Sequence, residues 1–264
     1  MKPEPNSLIL GDCLEVMRHW DDACLDHCIT DPPYNMSKPN GLGWAFSSHV
    51  TMSEAWDMYP RAEYLDFTQA WLQEVCRVVK PNGNLFLFGS YHNIYDIGHI
   101  VHQMGLKVLS HITWFKPNAQ PNITRRTLTE STEHIIWAVN GSKDGATGWT
   151  FNYAVAKKLN HGKQLRNMWH FPYPARSERR FGKHPSQKPV KLIGQIVLIA
   201  TKKGDLILDC FAGSGTTGVV AHSYGRRYVM VESHPEYVEI ARARLEHDHV
   251  PLPKALLKPA PEGE

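Results

Sequence analysis

A four-residue stretch, DPPY at Asp31–Tyr34, places an acid, two prolines and an aromatic ring directly after an apolar run with the character of a β-strand. Prolines lack a backbone N–H and stop a sheet ladder, so folding alone gives little reason for the pair. The stretch is therefore a candidate site of chemistry. The competing explanation is a plain strand terminator in which Asp31 caps the turn.

A second candidate is the glycine-rich stretch LDCFAGSGTTG, which follows a predicted strand and opens a predicted helix. Gly213, Gly215 and Gly218 have the spacing G-x-G-x-x-G. Glu232 ends the next predicted strand, where its carboxylate can accept hydrogen bonds from ribose hydroxyls. Alone, this pattern fits a nicotinamide-dinucleotide enzyme or a tight strand-to-helix turn.

Asp209 bears on whether the cofactor is a nicotinamide dinucleotide or another molecule, because it lies just before the glycine turn that would contact the cofactor. Its carboxylate would repel a pyrophosphate but would suit a cationic amino-acid group. A nicotinamide enzyme would also leave Asp31–Tyr34 without a role, and no other residues resemble a hydride-transfer site. S-adenosylmethionine carries no phosphate and has a cationic end. The sequence therefore favours S-adenosylmethionine as the cofactor.

Positive charge is concentrated in one segment of the 264-residue chain, whose net charge is only +3. The segment Lys157–Lys191 holds ten Lys or Arg residues and one acid, whereas the rest of the chain holds 19 and 25. Such asymmetry indicates a polyanionic partner, with nucleic acid favoured over a membrane because no amphipathic apolar stripe accompanies the charge. The alternative is a solvated basic loop.

Cysteine usage and hydropathy indicate the compartment. The five cysteines are scattered, and Cys24 and Cys28 have no second pair with which to form a zinc site, so we predict free thiols and no metal. No apolar run reaches the roughly 18 residues needed to span a bilayer, and the N-terminal MKPEPNS lacks a signal-peptide core. We expect a cytoplasmic protein without membrane contact.

The apolar pattern predicts an α/β architecture. Strand-like runs such as NLFLFGS alternate with helical spacing, as at Tyr64, Phe67, Trp71 and Val75, which indicates a mostly parallel sheet with helices on both faces. Periodicity fades over 141–183, as expected of an insertion. A polar stretch over 35–58 is predicted to be a loop, and the Pro-rich residues 250–264 a flexible tail.

Together, DPPY and FAGSGTT (Phe211–Thr217) resemble the DNA amino-methyltransferases, which use S-adenosylmethionine to methylate an exocyclic amine. DPPY precedes the glycine turn, with the basic segment between them. This order resembles the circularly permuted beta class, similar to the MboII- and RsrI-type adenine-N6 enzymes. Further similar pieces are GDCLEVM, KPNGNLFLFGS, EHIIWAVNG and HPSQKPVKLIGQIV. The resemblance spans nearly the whole chain outside the basic segment and the tail.

The resemblance implies a Rossmann-like S-adenosylmethionine-dependent methyltransferase fold, circularly permuted. In this arrangement 1–140 is the catalytic half, 141–183 a basic target-recognition insertion, 184–249 the cofactor-binding half and 250–264 a flexible tail. The class also allows a homodimer, although the sequence points to no interface.

The resemblance further implies a set of cofactor-binding residues. They are Asp12, Cys13, Asp31, His184, Ser186, Lys188, Pro189, Asp209, Phe211, Ala212, Gly213, Ser214, Gly215, Thr216 and Glu232. The glycine turn would wrap the methionine part, Glu232 would hold the ribose, and Lys188 with its neighbours would close the pocket. Two simpler roles stay open: Asp12 as the cap of a helix beginning at Cys13, and Phe211 as a core residue.

The family's chemistry assigns catalytic roles to Asp31, Pro32, Pro33 and Tyr34. An aromatic amine is a poor nucleophile, so the protein must accept its hydrogens and align it with the methyl group. Asp31 would supply one acceptor and a rigid proline carbonyl the second, while Tyr34 would stack on the base. The base must first be flipped out of the duplex, at a cost of a few kcal/mol.

Recognition of double-stranded DNA is predicted for the basic segment and for the loop after the strand LKVLSHITWF. The predicted DNA-binding residues are Lys116, Asn118, Arg125, Arg126, Arg176, Arg179 and Arg180. Asp before the two prolines resembles the adenine-N6 enzymes, whereas Ser is commoner among cytosine-N4 relatives. We therefore predict a site-specific adenine-N6 enzyme. The alternatives are cytosine-N4 methylation and a non-catalytic DNA-binding module.

Overall fold

The computed structural model describes residues 1–36, 57–122 and 125–257. The strands are β1 (Ser7–Leu10), β2 (His27–Thr30), β3 (Asn84–Gly89), β4 (Leu106–Phe115), β5 (Thr132–Ser142), β6 (Met168–His170), β7 (Leu206–Asp209) and β8 (Arg227–Glu232). The helices are α1 (Cys13–Met17), α2 (Arg61–Val78), α3 (Ile94–Gln103), α4 (Tyr153–Leu159), α5 (Val190–Ala200), α6 (Thr216–Ser223), α7 (Pro235–His247) and α8 (Lys254–Leu257).

The eight strands form one sheet in the order β1-β8-β7-β2-β3-β5-β4-β6. Strand β5 runs antiparallel to β3 and β4, and every other pairing is parallel. The predicted mostly parallel sheet is therefore confirmed. Strands β2 and β7 are neighbours, with Cys28 opposite Leu208, and the chain leaves them toward opposite sides of the sheet. This reversal is the point at which open α/β sheets bind their ligands.

Helices cover both faces of the sheet, as predicted. In β3, Phe86 and Phe88 pack into a core that also contains α5 and α6. The intervening Leu85 and Leu87 pack into a second core with α1, α2 and α3. A strand buried on both faces needs this continuous apolar sequence, because successive side chains point to opposite sides.

The segment 141–183, predicted to be a target-recognition insertion, is joined to the rest of the fold by two short elements. It contains α4, whose Ala156 is buried in the α5–α6 core, and β6, which pairs in parallel with β4. Trp169 of β6 is buried there as well. These elements have seven and three residues, and their few apolar positions lie among basic ones, so no periodic signal marks them.

Part of the predicted tail, 250–264, contacts the body of the fold. Val250 is buried, the Tyr224 hydroxyl donates to the Pro251 carbonyl (3.4 Å), and Leu256 of α8 packs against the core. Residues 258–264 lie outside the described residues, as does most of the predicted polar loop, 37–56. Within the described ranges, no helix is long and apolar enough to cross a membrane.

Candidate active site

One cavity lies at the carboxyl edge of the sheet, where the parallel strands end. Asp31 follows β2, Asp209 ends β7 and Glu232 ends β8, so the topology brings the three acids of the two sequence motifs to one place. Most of the predicted site residues line this cavity. They are Asp12, Cys13, Asp31, Pro32, Pro33, Tyr34, His184, Ser186, Lys188, Asp209, Phe211, Ala212, Gly213, Ser214, Thr216 and Glu232.

Two predicted cofactor residues, Pro189 and Gly215, shape the cavity without being among its lining residues. The Pro189 carbonyl accepts hydrogen bonds from Leu192 and Ile193 and so begins α5. Gly215 precedes α6 with a left-handed φ of 73°, and a Cβ there would lie 2.8 Å from Ala241 Cβ. Their conformations set the helix starts, and no contact with a ligand is needed to explain them.

The Asp31 carboxylate is held on one side only. Oδ2 forms an ion pair with Lys188 Nζ. Oδ1 is buried and has no hydrogen-bond partner anywhere in the described ranges. Burial raises the pKa of Asp31 above its ordinary value, and the positive charge of Lys188 opposes that rise. A buried acceptor without a donor is costly, which suits a position that receives hydrogens from a substrate.

Behind Asp31 lies a buried charge cluster of Lys188, Glu133, Lys116 and the Tyr34 hydroxyl. Glu133 accepts from Lys116 Nζ (3.2 Å) and the Tyr34 hydroxyl (3.0 Å) and lies 3.4 Å from Lys188 Nζ. Burial would raise the pKa of Glu133, but the two lysine charges outweigh it and lower that pKa. With Asp31, the cluster pairs two carboxylates with two ammonium groups.

The two proline carbonyls are not equivalent. The Pro33 carbonyl accepts from the Tyr64 hydroxyl (2.9 Å) and Asn93 Nδ2 (3.4 Å), both buried residues. The Pro32 carbonyl receives no hydrogen bond from the described parts of the chain. The sequence left both carbonyls as candidate acceptors, and of the two only the Pro33 carbonyl is occupied by donors from the described parts of the chain.

Within the glycine turn, Gly213 gives the cavity one stretch of wall without a side chain. Gly213 has a φ of 50°, and a Cβ there would lie 2.9 Å from His184 Nε2. Its N–H donates to Glu232 Oε2 (2.7 Å), while Glu232 Oε1 accepts from the His234 N–H (2.9 Å). The turn therefore needs glycine for its backbone and for its close approach to His184.

Asp209 and Asp12 each have a structural role besides lining the cavity. Asp209 Oδ1 accepts from Thr30 Oγ1 (2.9 Å) and the Phe211 N–H (3.2 Å), and burial raises its pKa to about 6. Asp12 Oδ1 caps α1 by accepting from Leu14 N (2.8 Å) and Glu15 N (3.1 Å). The capping role predicted as the alternative for Asp12 is thus present, in a residue that also lines the cavity.

Aromatic rings complete the wall. Phe211 makes an edge contact with Trp71 at 5.4 Å and so combines its predicted core role with a place in the cavity lining. His184 meets Tyr237 edge-on at 4.3 Å. Burial lowers the pKa of His184 to about 3, with Lys188 adding to that effect, so the imidazole is neutral at pH 7.

Three contributors were missed by the sequence analysis: Glu133, Arg244 and Asp57. Glu133 lies near the start of β5, and only the antiparallel direction of that strand brings it to the carboxyl edge. Arg244 of α7 is fully buried and donates to the Ser214 carbonyl (2.8 Å). Asp57 accepts from the backbone just after Tyr34. In the sequence, each of the three is marked only by a charged residue between apolar ones, and this pattern does not show which group the charge will contact.

The predicted DNA-binding residues divide into buried and exposed groups. Lys116 is 4% exposed and paired with Glu133, so it lies among the charged groups behind Asp31, and its predicted contact with DNA stays a prediction. An apolar setting between Trp114 and Tyr173 favours pairing over exposure. The exposed residues of the set are Asn118, Arg125, Arg126, Arg176, Arg179 and Arg180.

Hydrogen bonds and an ion pair join several of the exposed residues to neighbouring parts of the fold. Asn118 Oδ1 accepts from the Tyr173 N–H (2.9 Å) and so joins the loop after β4 to the basic segment. Arg176–Arg179 form a 3₁₀ turn, and its Glu178 accepts from the Val190 N–H (2.9 Å), two residues beyond Lys188. Arg180 is paired with Asp248 (2.8 Å).

The cavity fits S-adenosylmethionine better than a dinucleotide. Lys188 is the only Lys or Arg among its described lining residues, and it is already paired with Asp31, so nothing free there would neutralise a pyrophosphate. Asp209, Glu232 and the side-chain-free Gly213 suit a cationic methionine chain and a ribose. Fold and cavity together define a Rossmann-like S-adenosylmethionine-dependent transferase.

Comparison with known proteins assigns the family. Residues 25–243 match the N6_N4_Mtase family, described as DNA methylase, and the chain belongs to that family. It is 39% identical to the type II methyltransferase M2.DpnII of Streptococcus pneumoniae, over 92% of this chain and 90% of that one. It is 37% identical to M2.MboI of Moraxella bovis, over 92% and 88%.

Solved structures share the fold. A complex of M1.HpyAVI with S-adenosylmethionine has a TM-score of 0.65 and 28% identity, covering 90% of this chain and 98% of that one. The PvuII DNA methyltransferase (cytosine-N4-specific) has a TM-score of 0.72 at 20% identity, covering 95% and 89%. The protein is thus an S-adenosylmethionine-dependent DNA methyltransferase.

Proposed function

We propose that this enzyme methylates the exocyclic N6 amine of adenine at a specific site in double-stranded DNA. The observation that carries the proposal is the pair of unused acceptors at Asp31 Oδ1 and the Pro32 carbonyl. An amine has two hydrogens, and two acceptors on a rigid backbone hold both. Accepting them localises the nitrogen lone pair, which otherwise delocalises into the ring.

The residues of the cavity orient the reaction. S-adenosylmethionine, when bound, supplies an electrophilic methyl group on a sulfonium sulfur. Asp209 would meet its ammonium end, Glu232 its ribose, and Gly213 with its neighbours the methionine chain. Asp31 and Pro32 hold the amine in line with the methyl group, which converts a bimolecular reaction into a positioned one.

The target base must leave the DNA stack to reach Asp31. Tyr34 lines the cavity beside Asp31, and stacking of its ring on the base would return about 1–3 kcal/mol of the cost of flipping. Its hydroxyl bond to Glu133 fixes the ring's position. The exposed arginines near the cavity would hold the duplex phosphates.

The test of the target atom uses tritiated cofactor and duplex DNA, followed by nucleoside chromatography. We expect label in N6-methyl-2′-deoxyadenosine; label in N4-methyl-2′-deoxycytidine would overturn the adenine assignment. Absence of methylation on any DNA would favour a non-catalytic DNA-binding module. Long-read sequencing of DNA from expressing cells would add the recognition sequence.

The test of Asp31 is its replacement by alanine. We expect Asp31→Ala to lower the methylation rate by at least roughly 10²-fold, because one of the two amine acceptors is lost. Asp66→Ala on the exposed surface of α2 is the matched control and should leave the rate unchanged. Methylation at the control's rate by Asp31→Ala would refute the mechanism.

We further propose that the enzyme acts in the bacterial cytoplasm on duplex DNA, as the names and organisms of its relatives suggest. Both named curated relatives are type II methyltransferases of bacteria. Light scattering of the pure protein would distinguish a monomer from the homodimer that the class allows.

A further inference from the structure

Burying the charge cluster behind Asp31 costs desolvation free energy, and the stability of the fold gives no reason for that cost. Lys188, Glu133 and Lys116 are taken out of water, although well-packed apolar residues of similar size commonly give equal or greater stability. The groups that accept the hydrogens of the amine are Asp31 Oδ1 and the Pro32 carbonyl, and the proposed transfer gives no part to Lys188 or Lys116. A cluster kept at such a cost, in contact with the reacting carboxylate, calls for a role in the reaction.

We propose that Lys188 is a positioning residue for Asp31, and that Glu133 is in turn the residue that holds and charge-balances Lys188. The inference rests on the proposed transfer to an amine. It assigns to Lys188 a task at the target-amine side of the cavity, distinct from closing over the cofactor.

Lys188 is held by three partners. Its ammonium group donates hydrogen bonds to Asp31 Oδ2 and the Ser186 carbonyl (3.0 Å) and forms an ion pair with Glu133 Oε2 (3.4 Å). These partners come from three separate parts of the fold: the end of β2, the turn before α5 and the start of β5. Rotation of the Asp31 carboxylate would break its ion pair with Lys188.

Glu133 is fully used as well. Oε1 accepts from Lys116, and Oε2 accepts from the Tyr34 hydroxyl and faces Lys188. Within the described parts of the cluster, Asp31 Oδ1 is therefore the one carboxylate oxygen left for a substrate. The cluster makes the two oxygens of Asp31 unequal, one for support and one for the amine.

The proton released in the transfer requires an ionised Asp31. In the transfer, the amine nitrogen forms a bond to the methyl carbon, and the carbon–sulfur bond breaks with its electron pair remaining on sulfur. The nitrogen then carries a positive charge and loses one proton, which Asp31 Oδ1 accepts and later releases to water. Only an ionised Asp31 can accept both the hydrogen bond and the proton.

Four groups act directly on the ionisation of Asp31. Lys188 favours the ionised form, Glu133 and Asp209 oppose it, and the Tyr34 hydroxyl lies beside it. Lys116 acts through Glu133. Removing the charge of Lys188 should therefore raise the pKa of Asp31, and removing the charge of Glu133 should lower it.

The experiment measures this opposite response in the protein alone. Carbon-13 NMR of protein labelled at the aspartate carboxyl carbon, assigned with Asp31→Asn, follows the Asp31 titration in wild type, Lys188→Met, Lys188→Arg and Glu133→Gln. We expect a higher midpoint for Lys188→Met, a lower one for Glu133→Gln, and a near wild-type one for Lys188→Arg. Lys203→Met, exposed at the opposite edge of the sheet, is the matched control.

Kinetics provide the second readout. Lys188→Met should lower kcat by roughly 10²-fold and shift the acid limb of its pH profile to higher pH, with a much smaller change in the cofactor Kd from calorimetry. Lys188→Arg should restore most of the rate. Should Lys188→Met not fold, Lys188→Gln removes the same charge and takes its place.

Two outcomes would overturn the inference. One is equal Asp31 midpoints in wild type, Lys188→Met and Glu133→Gln. The other is a Lys188→Met defect confined to the cofactor Kd. Failure of the proposed function would look different, because the wild type would then methylate no DNA while the NMR shifts still appeared.

Discussion

Gly213 and Gly105 share a left-handed backbone but differ in surroundings. Their φ angles are 50° and 70°, yet a Cβ at Gly213 would meet His184 Nε2 at 2.9 Å, whereas nothing lies within 4 Å of one at Gly105. An L-residue in this conformation costs about 1–2 kcal/mol. Substituting Gly105 therefore tests the effect of backbone strain alone, whereas substituting Gly213 tests strain together with a steric clash against His184 in the cavity wall.

We expect Gly105→Ala to lower the free energy of unfolding by about 1–2 kcal/mol and leave cofactor affinity unchanged. Gly213→Ala should cost more, because His184 must move, and should also weaken cofactor binding at least roughly 10-fold. Urea unfolding and calorimetry measure the two effects. Equal cofactor affinity in the two variants would contradict the role of Gly213 in the wall.

Asp209 gives a pH dependence of stability with a definite sign. Its pKa is about 6 in the folded protein, against 3.8 for an aspartate side chain outside this environment. Between these values the folded state binds more protons than the unfolded state, so this group's contribution to stability is lost as pH rises from about 4 to 6. The full difference is about 3 kcal/mol.

We expect Asp209→Asn to remove this dependence. From pH 4 to pH 7 the wild type should lose about 2.4 kcal/mol of unfolding free energy relative to Asp209→Asn, because only the wild type must ionise a buried acid. Urea unfolding at several pH values measures the difference. If the unfolding free energies of the two proteins had the same pH dependence, ionisation of Asp209 would not destabilise the folded state.

Helix α7 locks the glycine turn through one buried side chain. Arg244 Nη1 donates to the Ser214 carbonyl (2.8 Å), Ser214 Oγ (3.0 Å) and Thr216 Oγ1 (2.8 Å). Its Nε pairs with Asp248 at 3.2 Å. Arg242, two residues earlier, is exposed and pairs only with Glu239 on the helix surface. One helix thus offers a buried arginine and an exposed control.

We expect Arg244→Met to lower the free energy of unfolding by about 3 kcal/mol or more and to weaken cofactor binding, since the turn loses three hydrogen bonds to a charged donor. Arg242→Met should change stability by less than about 0.5 kcal/mol. Thermal unfolding with and without cofactor provides the comparison. Similar losses of unfolding free energy in both variants would refute the role of Arg244 in holding the glycine turn.

Elements with a long periodic pattern were recognised from the sequence. Helix α2 carries Tyr64, Trp71 and Val75 on its buried face, and β4 covers the same ten residues as its apolar run. In contrast, α4 and β6 were missed. Their order comes from packing on α5 and pairing with β4, and tertiary contacts of this kind leave no local pattern in a short segment.

The molecule as a whole presents exposed arginines beside the cavity. Arg176 and Arg179 are exposed and form no ion pair within the described ranges, whereas Arg180 is held by Asp248. Glu178 ties their turn to the start of α5, next to Lys188. This placement suits a duplex whose flipped base enters the cavity.

We expect Arg176→Ala with Arg179→Ala to weaken DNA binding and to reduce the slope of log K against log salt by about 1.8, as two phosphate contacts are lost. Arg180→Ala should add less, because Asp248 already neutralises it. Lys202→Ala with Lys203→Ala, at the opposite edge of the sheet, is the charge-matched control. Equal salt slopes for the two double variants would refute this DNA face.

The sequence by itself determined the family, the cofactor class and the two motifs, because glycine spacing, an acid before two prolines and alternating apolar runs are local properties of the chain. Only the tertiary structure decided what each carboxylate touches. Glu133 and Lys188 are 55 residues apart in the sequence, and the antiparallel direction of strand β5 brings them together behind Asp31. Long-range pairing of buried charges depends on strand direction and order, which no local pattern encodes.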